Sequence, residues 1–187
     1  MELKDLGMVV GVGIDADGAA DGISVTAQLV RYQQLASSAQ TRGSDGETER
    51  PFWNATTRAR TLFEAARLLT QKTGKKLFLS HNRVVVFSEE IARRGIRPWT
   101  DALFRAQEVR PTALVLVSQG PASKVLDTAV QIDSRPALAI ARLAQSYGFA
   151  SQAREVRLFD LATWFLSKTM CPALPLVGTA SDMGRPT

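Results

Sequence analysis

The chain opens on an apolar, β-branched run, Met8-Val9-Val10-Gly11-Val12-Gly13-Ile14, that ends in Asp15-Ala16-Asp17-Gly18. From Gly22 to Val30 apolar and polar residues then alternate. Two such runs on either side of an Asp/Gly-rich connection predict an antiparallel hairpin. In its second strand Ile23, Val25, Ala27 and Leu29 share one face, and Ser24, Thr26 and Gln28 share the other. That contrast predicts a sheet covered on one side and wet on the other at this point.

Residues 33–50 are polar and rich in Ser, Gly, Thr and Glu, with no apolar period, and read as a surface loop. Phe52 to Thr57 is compatible with a short strand. Leu62, Phe63, Ala66, Leu68 and Leu69 then form one helical stripe, with Gly74 placed to stop it. Leu77-Phe78-Leu79 and Val84-Val85-Val86-Phe87 follow, interrupted by Ser80-His81-Asn82-Arg83. The valine run lacks alternation, as a strand buried on both faces does.

Ser88 supplies a helix N-cap hydroxyl, and Glu89 and Glu90 place two carboxylates in the first turn, where the helix dipole favours them. This helix should end at Gly95, and Pro98 should open the next, carrying Trp99, Leu103 and Phe104. Arg110-Pro111 leads into a second doubly buried strand, Ala113 to Val117. A strand–helix–strand crossover makes 84–87 and 113–117 parallel, and these two form the expected rigid centre. Pro121 starts a short helix through Val125 and Leu126. Pro136 to Tyr147 and Val156 to Lys168 read as amphipathic helices, and Pro172, Pro175 and Gly184-Arg185-Pro186 as a linker or junction.

The pattern therefore predicts an α+β fold: a mixed β-sheet of about five strands with helices packed on it, plus a helical C-terminal segment. Residues 1–130 are expected to form the mixed α/β domain, and 131–187 a helical extension with a linker towards a next domain.

An apolar share of 45% supports a packed core in a chain of 187 residues. The first residues lack a basic stretch followed by an apolar one, so no signal peptide is read at Met1. That leaves two readings, a cytoplasmic protein or one whose leader has been removed. The net charge of +5 comes from basic residues scattered along the chain, without aromatic interleaving, which argues against nucleic acid. Attraction to acidic headgroups stays open, at about 1 kcal/mol per cation near such a surface.

The chemistry of catalysis is sparse. Cys171 and His81 are the single cysteine and histidine. No intrachain disulfide is possible, and a zinc cage of four Cys or His ligands is not available. Cys171 reads as a small apolar residue in a buried segment. His81 sits in a turn-like break and would need a nucleophile or carboxylate brought to it by the fold. Gly11-Val12-Gly13 lacks the third, helix-opening glycine of a dinucleotide site. A calcium loop counted from Asp15 has Thr26 where a closing Glu is needed. Asp15, Asp17 and Gly18 are better explained as turn chemistry, with aspartates bonding nearby N–H groups and Gly18 at positive φ. Glu89 and Glu90 diverge by about 100° around a helix and do not converge on one atom. The Asn54-Ala55-Thr56 sequon carries little weight without a secretory context. No catalytic, cofactor-binding or metal residue is assigned.

Three blocks in register resemble one family. Glu2-Leu3, Asp5-Leu6 and Val9 through Gly13-Ile14-Asp15 are similar to the opening of the mature Ger(x)C spore germination proteins. His81 to Gly95 resembles that family's central histidine–strand–helix block, with Ser88 where the family often has Gly. Val109-Arg110-Pro111-Thr112-Ala113 to Val117, with Gly120 and a short helix after it, resembles the strand that the family enters through an Arg-Pro step. Order and spacing agree over residues 2–130, and Leu174-Pro175 falls where the family has a Leu-Pro.

The resemblance implies the N-terminal region of a lipoprotein C subunit of a nutrient-germinant receptor, without catalysis or cofactor. It would sit on the outer face of the spore inner membrane, anchored by a lipid on a cysteine upstream that this sequence lacks. Its implied partners are the two integral-membrane A and B subunits. The alternative is an extracytoplasmic module that binds a small nutrient directly, which needs a pocket of at least ~300 Å³.

Overall fold

The computed structural model describes residues 6–18, 22–31, 50–106, 108–128, 133–149, 154–167 and 172–179. The loop expected over 33–50 falls outside these except for Arg50, and Cys171 lies outside them as well. Among the described residues seven strands form one mixed sheet: β1 (Leu6–Ala16), β2 (Ile23–Val30), β3 (Phe52–Ala59), β4 (Lys76–Phe78), β5 (Val84–Ser88), β6 (Leu114–Ser118) and β7 (Leu176–Val177). The order across it is β3-β2-β1-β5-β6-β7, and β4 pairs with the start of β1. The hairpin β1–β2 and the pair β2–β3 are antiparallel, while β1–β5, β5–β6 and β6–β7 are parallel. The α+β sheet with its helices agrees with the sequence pattern. The two additional strands, β4 and β7, are three and two residues long, too short to show a period.

Helices cover both faces. On one side lie α1 (Leu62–Thr73), α3 (Arg97–Arg105) and α6 (Leu158–Leu166), with Leu69, Leu103, Leu161 and Trp164 against Val12, Ile14, Val85, Phe87 and Val115. The six-residue α2 (Glu89–Arg94) adds Ile91 to this core. On the other side α4 (Ala122–Asp127) and α5 (Pro136–Phe149) set Ala122, Val125, Leu126, Ala137 and Ile140 against Val10, Val84, Val86, Leu114 and Leu116. The unbroken valine run of β5 is thus explained, since each alternate residue meets a different helix layer. Residues after 130 feed both layers, α5 one and α6 the other.

Local signals account for most helix ends. Thr61 Oγ1 accepts from Glu64 N at 3.1 Å to start α1, and Gly74, at φ 63°, closes it by donating to Thr70 O. Ser88 Oγ accepts from Ile91 N to start α2, which ends at Gly95, also at positive φ. Pro98 lies in the first turn of α3. In the β6–α4 connection the positive φ belongs to Gly120. Gly18, expected at positive φ, is not in that conformation.

The second face of β2 departs from expectation. It was read as wet, yet Thr26 and Gln28 are buried, Gln28 completely. The reason is tertiary: α4 and α5 cover this face, and each buried polar atom finds a partner. Thr26 and Thr56 hydroxyls bond across the strands at 2.9 Å. Gln28 Nε2 donates to Leu126 O at 2.6 Å and to Asn54 Oδ1 at 3.0 Å, and its Oε1 accepts from Ala137 N at 2.9 Å. One amide therefore satisfies a carbonyl at the end of α4 and an N–H at the start of α5, groups that helices cannot satisfy internally.

The glycines of β1 serve the same approach. A Cβ on Gly11 would stand 2.5 Å from the Ala137 Cβ, and one on Gly13 3.0 Å from a Leu126 methyl. Gly11 and Gly13 are thus where α5 and α4 come closest to the sheet. A bulge at Val10, between the pairs Val9↔Leu29 and Gly11↔Gln28, breaks strict alternation in β1. It turns Val10 towards the α4–α5 core while Val9 and Val12 join the other. Beyond β6 the segment read as a linker supplies β7: Val117 N donates to Pro175 O and Gln119 N to Val177 O.

Two tests follow from these contacts. Gln28→Leu keeps the volume but strands Ala137 N and weakens the cap on Leu126 O, so unfolding free energy should fall by about 2–3 kcal/mol. Urea denaturation checks it, and a loss under ~0.5 kcal/mol would contradict the role given to the amide. The second concerns Asp133, which precedes α5. Burial pushes its carboxyl up, but hydrogen bonds from the Arg135 side chain and backbone N–H, with the charges of Arg135 and Arg142, outweigh burial and hold it below the usual carboxylate range. A depressed folded-state value stabilises the protein above the unfolded value of about 3.9 and loses that contribution as pH falls through the folded value. The stability gap between wild type and Asp133→Asn, followed by urea midpoints, should be constant near neutrality and shrink below pH ~4.

Candidate functional site

Strands β1, β5 and β6 run parallel, and their carboxyl ends meet at one edge of the sheet. Crevices outside such ends are where open α/β sheets place their ligands. Here the edge opens into a cleft of about 570 Å³, framed by the ends of β1 and β5, the first turn of α2 and the loop into α4. Its polar lining comes from Asp15, Asp17, Arg58, Glu89, Glu90 and Arg93, with Ser24, Ser88 and Ser123 between them.

Asp15 is the buried member. Its Oδ1 accepts from Ala122 N at 2.5 Å and its Oδ2 from Ser123 N at 3.0 Å. The residue preceding α4 is Pro121, which caps nothing with its side chain. Asp15 therefore caps that helix from 107 residues away, with a negative charge set at the positive end of the helix. The expectation that it bonds nearby turn N–H groups is corrected: Asp15 lies inside β1 and points to α4. Asp17 continues the rim and pairs with Arg58 at 3.2 Å, while its backbone N–H closes the hairpin on Gly22 O.

The acidic pair at the start of α2 diverges, as its helical spacing requires. Glu89 is bound by Arg93 and Glu90 by Arg94, each at 2.5 Å and four residues on. The charges of the cleft are thus engaged within the chain itself, through exposed pairs that cost little to exchange for another partner. Such a rim can receive polar or charged groups by hydrogen bonding and ion pairing. Sequence reasoning found the carboxylates but not Arg58 and Arg93 as their partners in one cleft. The i,i+4 spacing of Glu89 and Arg93 was a usable signal; the Arg58 contact, set by the β2–β3 register, had none.

The other residues weighed from sequence lie apart. His81 is exposed in a 3-10 turn before β5, at the opposite end of that strand from the cleft, with its ring 5.7 Å from that of Phe78. Among the described residues no carboxylate pairs with it. Asn54 is half-buried and engaged within the chain: it donates to Leu126 O and to Asp127 Oδ1, both at 3.2 Å. No group of three or more His, Cys, Asp or Glu among the described residues stands close enough to hold a metal. No helix among them is long and apolar enough to cross a membrane.

Comparison with known proteins adds the biological frame. Residues 1–179 match the family model described as the spore germination protein N-terminal domain. A Bacillus subtilis (strain 168) protein named for spore germination, YfkR, is 35% identical over 144 residues, 76% of this chain and 36% of that protein. Spore germination protein KC of the same organism is 23% identical over 180 residues, 93% of this chain and 43% of that protein. The chain thus matches well under half the length of these relatives. No solved structure matches it.

The Asp15 cap is testable without a ligand. Asp15→Ala leaves Ala122 N and Ser123 N unpaired and should lower unfolding free energy by about 1–2 kcal/mol. Glu89→Ala, which removes only an exposed pair, should cost under ~0.5 kcal/mol in the same chemical denaturation series. Equal costs would show that Asp15 is another rim residue.

Proposed function

We infer function from one premise: this chain belongs to the Ger(x)C family of spore germination proteins and carries their N-terminal domain. On that premise it has a role in spore germination. We propose further that it is part of a C subunit of a nutrient-germinant receptor, anchored through a lipid on the outer face of the spore inner membrane. There it works by contact with the integral-membrane A and B subunits and catalyses no reaction. The observation that carries this reading is the family match, which spans residues 1–179. The site supports contact rather than chemistry, since the carboxylates of this cleft are spent on a helix cap and on arginine pairs.

A second reading is favoured by one feature of the cleft. At about 570 Å³ the cleft exceeds the ~300 Å³ that a small-molecule site requires. Its mixed lining of Arg58, Arg93, Asp17 and Glu90 suits a small polar nutrient. Both readings place the protein in the receptor, and they differ in whether this domain touches the germinant.

Disrupting the gene and scoring germination against a panel of nutrients tests the receptor role. Loss of the response to one nutrient class, with the others intact, is the expected result; unchanged germination on every nutrient sinks it. Calorimetric titration with amino acids, sugars and nucleosides separates the two readings. Heat that is lost in Arg58→Ala and Arg93→Ala favours the nutrient site, and silence with all ligands favours contact alone.

A further inference from the structure

We propose that the groove between α5 and the β7 edge is the seat of the next domain of the same polypeptide. That domain adds an extended segment to β7 and lays an apolar side chain between Tyr147 and Leu176. The groove encloses about 270 Å³ and is lined by Leu116, Ile140, Leu143, Ala144, Tyr147 and Leu176, with Pro175 to Gly178 along its rim. Tyr147 is 50% and Leu176 58% exposed, although both stand beside the core that α5 closes. Its volume lies below the usual ~300–1,000 Å³ of small-molecule sites, which suits an inserted side chain better than a free ligand.

The strand edge points the same way. Val117 N donates to Pro175 O and Gln119 N to Val177 O, so alternate residues of β7 face β6. The N–H and C=O of Leu176 between them are directed off the sheet. Natural sheets blunt such an edge with charge, proline or a very short strand, and at the opposite edge Lys72 Nζ donates to Thr56 O of β3 at 2.8 Å. From Pro172 to Thr179 the chain carries no charged residue. Apolar pocket and uncharged edge together make the two halves of a strand-addition site.

The occupant follows from where the domain ends. The family model is of an N-terminal domain and stops at residue 179, two residues after β7. The matched regions make up 36% and 43% of the relatives, so most of each relative is something else. A domain joined just after β7 is held beside the groove at an effective concentration in the millimolar range, and a weak contact then suffices. The inference rests on the reading of this chain as an N-terminal domain, but not on the identity of the receptor or its germinant.

The test uses the full-length protein encoded by the gene, with hydrogen exchange read over residues 140–147 and 174–178 and limited proteolysis read just after residue 179. Wild type should protect both stretches. Tyr147→Glu and Leu176→Glu should each raise their exchange and the cleavage rate about tenfold. Phe159→Glu, at an exposed position on α6, should change neither. Exchange over Val84–Ser88 reports whether a variant is folded; if Tyr147→Glu fails there, Leu176→Glu decides. Rapid exchange in wild type, or variants that match Phe159→Glu, overturns the proposal. Protection that grows with protein concentration overturns it in favour of a second copy. A gene that ends at residue 187 overturns it outright. Normal germination after gene disruption would remove the receptor reading while leaving this exchange result intact.

Discussion

The side-chain amide of Gln28 is the contact on which the arrangement of one helix layer depends. It lies fully buried on β2 and binds the last carbonyl region of α4, the first N–H of α5 and the amide of Asn54. The two helices have few other means of satisfying those groups in a dry setting. An unpaired buried polar group costs more than a made hydrogen bond returns, so helix ends and glutamine must coincide. Gly11 and Gly13 on the neighbouring strand make that coincidence possible by leaving no Cβ between the helices and the sheet. Asp15 fixes the other end of α4. A six-residue helix is too short to persist on its own propensity; here polar side chains from the sheet hold both its ends.

The same device shapes the cleft at the carboxyl ends of β1 and β5. Because Asp15 binds α4 and Ser88 caps α2, the carboxyl ends of β1 and β5 are occupied by helix starts. What remains open to solvent is a rim of ion pairs, Asp17 with Arg58 and Glu89 with Arg93. Exposed pairs of this kind are weak and exchangeable, a property suited to recognition. The histidine stands apart from this rim, at the far end of β5.

The two sheet edges are treated differently. At β3 a lysine reaches over to bond an edge carbonyl, whereas β7 is a two-residue strand in an uncharged segment beside an apolar groove. An edge left without charge invites a further strand. The lower part of β6 is closed by residues 156–158, which pair with it through Val115 N to Val156 O and Leu158 N to Ala113 O. Among the described residues the upper part is closed only by β7. Residues 156–158 and β7 thus seal β6, and among the described residues no strand lies beyond β7.

The sequence by itself determined what is decided within a few residues. Ser88 and Gly95 bounded α2, Gly74 ended α1, Pro98 and Pro121 marked the starts of α3 and α4, and the valine run announced a strand covered on both faces. Three motif blocks sufficed for the family. Caps, turn residues and periodicity act over one to four positions and can be read in order along the chain. Only the tertiary structure decided what Gln28, Asp15, Gly11 and the segment after Pro172 do. Their partners lie about a hundred residues away for the first two, across a packed helix for the third and on a neighbouring strand for the last. A polar residue in an alternating strand looks the same whether it meets water or a helix end. Which of the two it meets is fixed by what the rest of the chain brings against it.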